Sequence, residues 1–99
     1  MKNVDNLTVI IVTYKTSEKI ILECLNSIQK KIKVIIVENS KNFIHKDVIN
    51  SKFPNIQIYC TGENLGYGRG NNYGINKIRD DYVLILNPDV ICDKDFFQN

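Results

Sequence analysis

The sequence predicts an α/β fold in which a mainly parallel sheet carries helices on both faces. Four short apolar runs, rich in β-branched residues, recur at a regular interval along the 99 residues, as strands do. Segments with helical periodicity separate the runs. Three of the runs are apolar at consecutive positions, which is typical of parallel strands covered on both sides. With right-handed crossovers, the order β-α-β-α-β-α-β gives three layers.

The predicted strands and the first two helices follow from local pattern. The strands are residues 7–12, 34–37, 56–60 and 82–86. We expect the first, second and fourth to be covered on both faces. In residues 16–31, apolar side chains recur every three or four positions, and Thr16 or Ser17 is available as the N-cap. Residues 43–53 carry a shorter pattern that Pro54 would end. The predicted inward side chains of this second helix are Ile44, Val48 and Ile49.

The third helical segment, residues 67–79, is rich in glycine. Gly70 and Gly74 lie four positions apart and therefore on one helix face. Each costs about 1 kcal/mol of helix propensity, which indicates that close contact with the sheet outweighs propensity here. Residues 93–99 carry acids where a helix N-terminus favours them, so we predict the first turn of another helix there.

Composition narrows the possible functions. Thirteen basic and eleven acidic side chains give a net charge of +2, too weak for an electrostatic nucleic-acid binder. The three cysteines and the single His45 form neither a disulfide framework nor a zinc motif, so we expect buried free thiols and assign no role to His45. No apolar run is long enough for a signal peptide or a membrane span. We therefore expect one domain, residues 1–99, in the cytoplasm or at the inner face of the membrane.

Polar residues follow every predicted strand, at the sheet edge where open parallel sheets bind ligands. These segments are Thr13–Thr16, Glu38–Ser40, Thr61–Asn72 and Asn87–Val90. The common nucleotide and hydrolase motifs are absent. A G-x-G-x-x-G beginning at Gly68 fails at Tyr73, and there is no phosphate-binding P-loop or G-x-S-x-G. The sequence therefore lacks the motifs that would indicate a dehydrogenase, a P-loop enzyme or an α/β hydrolase.

The most informative of these residues is Asp89, which Pro88 holds at a strand end two positions after the carboxamide of Asn87. A carboxylate with neighbouring oxygen ligands suits Mg²⁺ or Mn²⁺ that substrate phosphates hold in part. Asn-Pro-Asp is also favourable turn chemistry, so a purely structural turn is the alternative.

Four segments, in this order and spacing, resemble the N-terminal, nucleotide-sugar-binding half of family 2 glycosyltransferases with the Rossmann-like GT-A fold. The similarity is greatest to their rhamnosyltransferase-like branch, and it covers about residues 7–92. The segments are Val9–Tyr14, Val34–Ser40, Asn64–Ile75 and Leu84–Val90, the last with the L-N-P-D-V form of the D-x-D motif.

The resemblance implies a role for each rim residue. Tyr14 would stack on the pyrimidine base next to Thr13, and Glu38 would accept a hydrogen bond from the ring N–H of uracil or thymine. Asp89 would bind Mg²⁺ or Mn²⁺ bridging the diphosphate, and Asn87 would face the ribose or a metal-bound water. The remaining nucleotide-binding residues would be Asn64, Gly66 and Arg69, the last pairing with phosphate.

Some positions depart from the family pattern, and simpler interpretations stay open. Lys15 stands where Asn is usual, and Glu38 replaces a shorter Asp, which shifts the reach toward the base. Only one charged metal ligand remains in the motif, so metal affinity without nucleotide should be weak. The simpler interpretations assign no ligand to these residues. In them Tyr14 packs against its neighbours, Arg69 is a solvated side chain, and residues 64–72 form an ordinary loop.

The resemblance implies transfer of a sugar from a UDP- or dTDP-sugar, with dTDP-rhamnose the branch-level analogy, to a polysaccharide or glycolipid acceptor. It also implies a general base well downstream of Asp89, and the sequence ends ten residues after it. We therefore expect the isolated chain to lack the acceptor-binding half, to bind nucleotide and to transfer sugar poorly. An unpaired edge strand would favour a homo-oligomer. The alternatives are a non-catalytic module of this fold that binds nucleotides or protein partners and, much less favoured, a receiver domain, whose acidic residues are missing.

Overall fold

Strands and helices alternate along the chain in the computed structural model, which describes residues 6–97. The elements are β1 (Leu7–Thr13), α1 (Glu18–Asn26), β2 (Lys33–Glu38), α2 (Lys46–Lys52), β3 (Ile56–Cys60), α3 (Tyr67–Ile75) and β4 (Tyr82–Leu86). The four strands form one parallel sheet in the order β3-β2-β1-β4. The predicted α/β fold is confirmed.

Helices cover both faces of this sheet, and the side chains of β1 alternate between them. Val9 and Ile11 pack in the larger core cluster with residues of α1 and α2. Ile10 and Val12 face the other side, where α3 lies over β1 and β2. Because every strand pair is parallel, all four carboxyl ends reach the same edge of the sheet.

The first helix is shorter than its apolar pattern predicted. Ser17 caps it, with its Oγ accepting a hydrogen bond from the backbone N–H of Ile20 at 3.3 Å. The helix ends at Asn26, where the Ser27 hydroxyl donates to the carbonyl of Cys24 at 2.6 Å. Such side-chain bonds compete with the helical ladder. Ile28 and Ile32 are buried in the turns that follow. The apolar periodicity therefore reflected burial that continues beyond the end of the helix.

The second helix begins at Lys46, three residues later than predicted. Ile44 was expected to face inward and is 79% exposed, while the preceding Phe43 is 7% exposed and takes the place in the core. Because residues 43–45 are not yet helical, a helical period misassigns their faces. Ile49 is fully buried as predicted.

The third helix packs against the sheet through its glycines. A methyl group on Gly70 would lie 2.9 Å from Asn39 Nδ2 and from Val12 Cγ1, closer than real contacts allow. A methyl group on Gly74 would lie 3.1 Å from side-chain atoms of Ile10 and Val37. The predicted close approach is confirmed, although the helix ends at Ile75 rather than Arg79.

The fourth strand departs from its predicted environment. β4 was expected to be covered on both faces, but it is an edge strand, and Val83 and Ile85 are 37% and 43% exposed on the face that α3 covers over β1 and β2. Tyr82, at its start, is also exposed. Consecutive apolar residues predict burial on both faces only where a neighbouring layer is present. Here no described element lies beside β4 on its outer side.

An ion-pair cluster joins the amino ends of three strands at the opposite edge of the sheet. Asp80, just before β4, lies 2.6 Å from Nζ of Lys33 at the start of β2 and accepts a hydrogen bond from the hydroxyl of Thr8 in β1. The Lys33 bond, followed by the Thr8 bond, lowers the pKa of the Asp80 carboxyl below its ordinary value.

The cysteines are free thiols, as predicted, but not all are buried. Cys24 and Cys92 lie in the core, whereas Cys60 is exposed at the end of edge strand β3. Burial, assisted by nearby Cys92 and Asp89, raises the pKa of Cys24 to about 11. Among residues 6–97, no helix is long and apolar enough to cross a membrane.

Candidate functional site

The polar segments that follow the strands meet at the carboxyl edge of the sheet. Thr13 ends β1 directly opposite Glu38 at the end of β2. The backbone N–H of Asn39 donates to the carbonyl of Thr13 at 2.8 Å, and that of Thr61 donates to the carbonyl of Glu38 at 3.0 Å. The ends of β1, β2 and β3 therefore form one continuous hydrogen-bonded edge.

Glu38 is the buried carboxylate of this edge, with 2% of the residue exposed. Its Oε1 accepts from the Thr13 hydroxyl at 2.5 Å. Its Oε2 accepts from the Ser40 hydroxyl at 2.6 Å and from the backbone N–H of Lys15 at 3.3 Å. A carboxylate offers about four lone-pair directions, so roughly one remains for a further donor. Three protein donors hold the group in one orientation.

A groove of about 540 Å³ opens beside this carboxylate, between the loop after β1 and the segment before α2. Its lining includes Lys15, Thr16, Glu38, Phe43 and His45. A smaller cavity of about 260 Å³ lies at the other edge of the sheet, beside Val34 and Ile56 at the starts of β2 and β3. None of the predicted site residues lines that second cavity. A third cavity of about 270 Å³ lies beside Lys33 and Asp80, and no predicted site residue lines it either. Of these three cavities, only the groove beside Glu38 is lined by a predicted site residue.

His45 forms one wall of the groove, although the sequence suggested no role for it. Its Nδ1 lies 3.2 Å from Oε1 of Glu18, the first residue of α1, and its Nε2 lies 3.2 Å from the carbonyl of Thr16. These contacts join the loop after β1 to the segment before α2. The sequence contained no signal for this pairing, because the partners lie 27 and 29 positions away.

Tyr14 follows β1 and is 47% exposed, so it is not an ordinary core residue. The Nζ atom of Lys15 lies 5.4 Å from the centre of its ring, a cation–π distance. Lys15 itself has a φ of 53°, which is uncommon for a residue with a side chain. The unusual backbone turns Lys15 so that its N–H reaches Glu38.

Asn39 organises the loop between β3 and α3, a role that its position directly after β2 did not indicate. It is 1% exposed; its Nδ2 donates to the carbonyl of Gly66 at 2.9 Å, and its Oδ1 accepts from the Thr61 hydroxyl at 3.0 Å. Asn64 Oδ1 accepts from the backbone N–H of Gly66 at 3.1 Å. Gly66 has a φ of 84°, which favours glycine. Asn64, Gly66 and Arg69 are all exposed.

Asn87 and Asp89 follow the end of β4, and Asn87 contacts the first residue of α3. The backbone N–H of Val90 donates to the carbonyl of Asn87 at 3.1 Å, so Asn-Pro-Asp does form a turn. Both side chains are nevertheless exposed at the carboxyl edge. The Asn87 Oδ1 accepts a hydrogen bond from the Tyr67 hydroxyl at 2.8 Å. The turn and a ligand-binding carboxylate are therefore compatible.

The donor set for a metal ion is small. Over the described part of the chain, no group of three His, Cys, Asp or Glu side chains could hold one. Asp89 contributes one exposed carboxylate. Mg²⁺ is commonly held by one or two carboxylates together with substrate phosphates and water, so this residue fits an ion that arrives with a diphosphate.

Comparison with known proteins identifies the family. Residues 8–99 match the model of Glycosyl transferase family 2, and the chain belongs to that family, as its resemblance predicted. An L-rhamnosyltransferase of Mycobacterium tuberculosis, named for N-acetylglucosaminyl-diphospho-decaprenol, is 27% identical over 87% of this chain. The low-salt glycan biosynthesis hexosyltransferase Agl10 of Haloferax volcanii is 33% identical over 92% of this chain. The chain spans 33% and 30% of these two relatives, about a third of their length.

Solved structures confirm the fold class. The Staphylococcus aureus protein TarS, residues 1–349, superposes with a TM-score of 0.73 and 24% identity over 96% of this chain and 29% of its own. The same protein in complex with UDP superposes with a TM-score of 0.68 over 90% of this chain and 28% of its own. At this identity the likeness concerns the fold, which is the predicted Rossmann-like GT-A arrangement.

Proposed function

We propose that this chain binds a nucleotide-diphospho-sugar and forms the donor-binding part of a glycosyltransferase. One observation carries the proposal: the buried Glu38, with an acceptor direction left over, and the exposed Asp89 lie at one carboxyl edge of the sheet. In open α/β sheets this edge is where ligands bind. A protein with the same fold has been solved in complex with UDP, which supports a nucleotide as the ligand.

The base would enter the groove beside Glu38. A fixed carboxylate with a remaining lone pair accepts a hydrogen bond from an N–H and repels an unprotonated ring nitrogen. Uracil and thymine carry such an N–H at the third ring position, whereas cytosine does not. The exposed ring of Tyr14 next to this edge would supply a stacking surface. The site would therefore select UDP- or dTDP-sugars over those of cytidine.

The diphosphate would lie toward Asp89. This carboxylate would hold Mg²⁺ or Mn²⁺ together with diphosphate oxygens, and Arg69 at the exposed start of α3 would pair with phosphate. When bound, such an ion neutralises charge on the departing nucleoside diphosphate. With a single carboxylate in the set, metal affinity should depend on the nucleotide being present.

The relatives guide the choice of sugar and acceptor. One of them is named a rhamnosyltransferase and the other a hexosyltransferase, so we propose a hexose such as rhamnose as the transferred sugar. A polysaccharide or glycolipid acceptor, a cytoplasmic location near the membrane and a homo-oligomeric state belong to the same proposal. Since the relatives are about three times longer, we propose that the isolated 99 residues bind the donor without efficient transfer.

Calorimetric titration of the chain tests the proposal. UDP and dTDP with Mn²⁺ should bind to the wild-type chain, and CDP should bind at least about tenfold more weakly, the loss expected when one charged hydrogen bond is missing. Asp89→Ala should lose most of the Mn²⁺-dependent affinity. The matched control is Asp95→Ala, which removes an exposed aspartate six residues later.

Three results would count against the proposal. Equal affinity for UDP and CDP would contradict base recognition by Glu38. Unchanged Mn²⁺-dependent binding in Asp89→Ala would contradict the metal assignment. If the wild-type chain binds no nucleotide at all, the donor-site function itself is wrong.

A further inference from the structure

A hydrogen bond across the site joins α3 to the end of β4. The Tyr67 hydroxyl lies 2.8 Å from Oδ1 of Asn87, 20 positions later in the chain. Tyr67 is the first residue of α3, and this helix is held against the sheet by the close packing of Gly70 and Gly74. The phenol therefore projects from a rigid element rather than from a mobile loop. It reaches the residue that begins the Asn-Pro-Asp turn.

This bond decides which atoms of Asn87 face a ligand. A carboxamide has one carbonyl oxygen and one NH₂ group, and here the oxygen accepts a hydrogen bond from the Tyr67 hydroxyl. Fixing the oxygen on one side turns the two N–H donors away from Tyr67. Asn87 is exposed at the carboxyl edge, two residues before Asp89. The NH₂ group is consequently the part of the side chain with both of its donors available, while the oxygen keeps only one lone pair for a further contact.

We propose that Tyr67 is a positioning residue that holds Asn87 as a hydrogen-bond donor to an oxygen of the nucleotide-diphospho donor. Asn87 then contributes nothing to the metal, which Asp89 holds with the diphosphate. The inference rests on the proposed function and deepens it. It also gives a reason for an asparagine at this position: an aspartate would offer only acceptors to ligand oxygens that are themselves acceptors.

The pair is suited to substitution because neither partner is a core residue. Tyr67 is 49% exposed and Asn87 is exposed, so loss of the phenolic hydroxyl leaves no buried group without a partner. Tyr82 provides a matched control. It is a tyrosine of similar exposure, 54%, at the first residue of β4, the opposite end of the strand that leads to Asn87.

The test is a double-mutant cycle on the affinity of the full chain for UDP with Mn²⁺. Tyr67→Phe should weaken binding by about three- to tenfold, the value of one hydrogen bond. Asn87→Ala should weaken it at least as much. In the Asn87→Ala background, Tyr67→Phe should change the affinity by less than about twofold, because a positioning residue acts only through its partner. Tyr82→Phe should bind as the wild type does, and thermal unfolding should be unchanged in Tyr67→Phe.

Asn87→Asp separates the two possible roles of Asn87. If the side chain donates to the ligand, the carboxylate weakens UDP binding at saturating Mn²⁺. If the side chain is a metal ligand, the same change strengthens the Mn²⁺-dependent binding of UDP. That result would overturn the inference. Full affinity in Tyr67→Phe, or an undiminished effect in the Asn87→Ala background, also overturns it. These results differ from failure of the proposed function, in which the wild-type chain does not bind UDP or Asp89→Ala binds it equally well.

Discussion

The close approach of α3 to the sheet can be measured by adding a single methyl group. In Gly70→Ala the new Cβ would lie 2.9 Å from Asn39 Nδ2 and 2.9 Å from Val12 Cγ1. Both neighbours are buried, at 1% and 6% exposure, so neither can swing into solvent. Either the helix moves outward or the Asn39 amide leaves the carbonyl of Gly66, which it now binds.

The magnitude follows from two opposing effects. Replacing glycine by alanine inside a helix gains about 0.5–1 kcal/mol of stability. Inserting a methyl group into a packed contact costs about 1–3 kcal/mol. The matched control is Gly68→Ala in the same helix, where an added Cβ meets nothing within 4 Å and φ is not positive. The control should gain stability, while Gly70→Ala should be neutral or destabilised by up to about 2.5 kcal/mol.

Thermal unfolding followed by circular dichroism measures the difference. For a domain of this size, each kcal/mol shifts Tm by about 4–8 °C, so Gly70→Ala should melt at least about 4 °C below Gly68→Ala. Nucleotide binding should also weaken in Gly70→Ala, because the displaced Asn39 organises the loop at Gly66. Equal melting temperatures in the two variants would refute the close packing of α3 on β1 and β2.

Two other predictions concern the ends of the sheet and its open edge. Asp80→Asn should lower Tm at neutral pH, because the pKa of Asp80 is lowered in the folded state and its charge therefore stabilises the fold. The loss should fade as the pH falls below the ordinary aspartate pKa of about 3.9, at which the unfolded chain takes up the proton, and toward the lower pKa of the folded state. Asp81→Asn should change Tm little. A pH-independent loss would contradict the ion pair with Lys33. The chain should associate through its exposed β4 edge, and light scattering should show a smaller mass for Ile85→Lys than for the wild type. A monomeric wild type would contradict this.

Most of the secondary structure was predictable because it depends on near neighbours in the chain. Apolar residues spaced by two indicate the buried face of a strand, and apolar residues spaced by three to four indicate the buried face of a helix. The strands and the existence of all three helices therefore followed from apolar periodicity. Gly70 and Gly74 predicted a close contact because they lower helix propensity without any local benefit. The errors occurred where a local pattern depends on something distant. Ile44 precedes its helix, and β4 lacks a layer that its apolar residues would otherwise pack against.

By itself, the sequence determined the α/β order, the polar segments after each strand and the resemblance to family 2 glycosyltransferases. The tertiary structure alone decided which polar atoms remain free at the carboxyl edge. Glu38 accepts hydrogen bonds from Thr13 and Lys15, at and just after the end of β1. Asn39 joins β2 to Gly66, and Tyr67 orients Asn87. The physical reason is distance along the chain. Periodicity describes residues within a few positions of one another, whereas a hydrogen bond between residues 20 or more positions apart exists only once the strands and helices have packed.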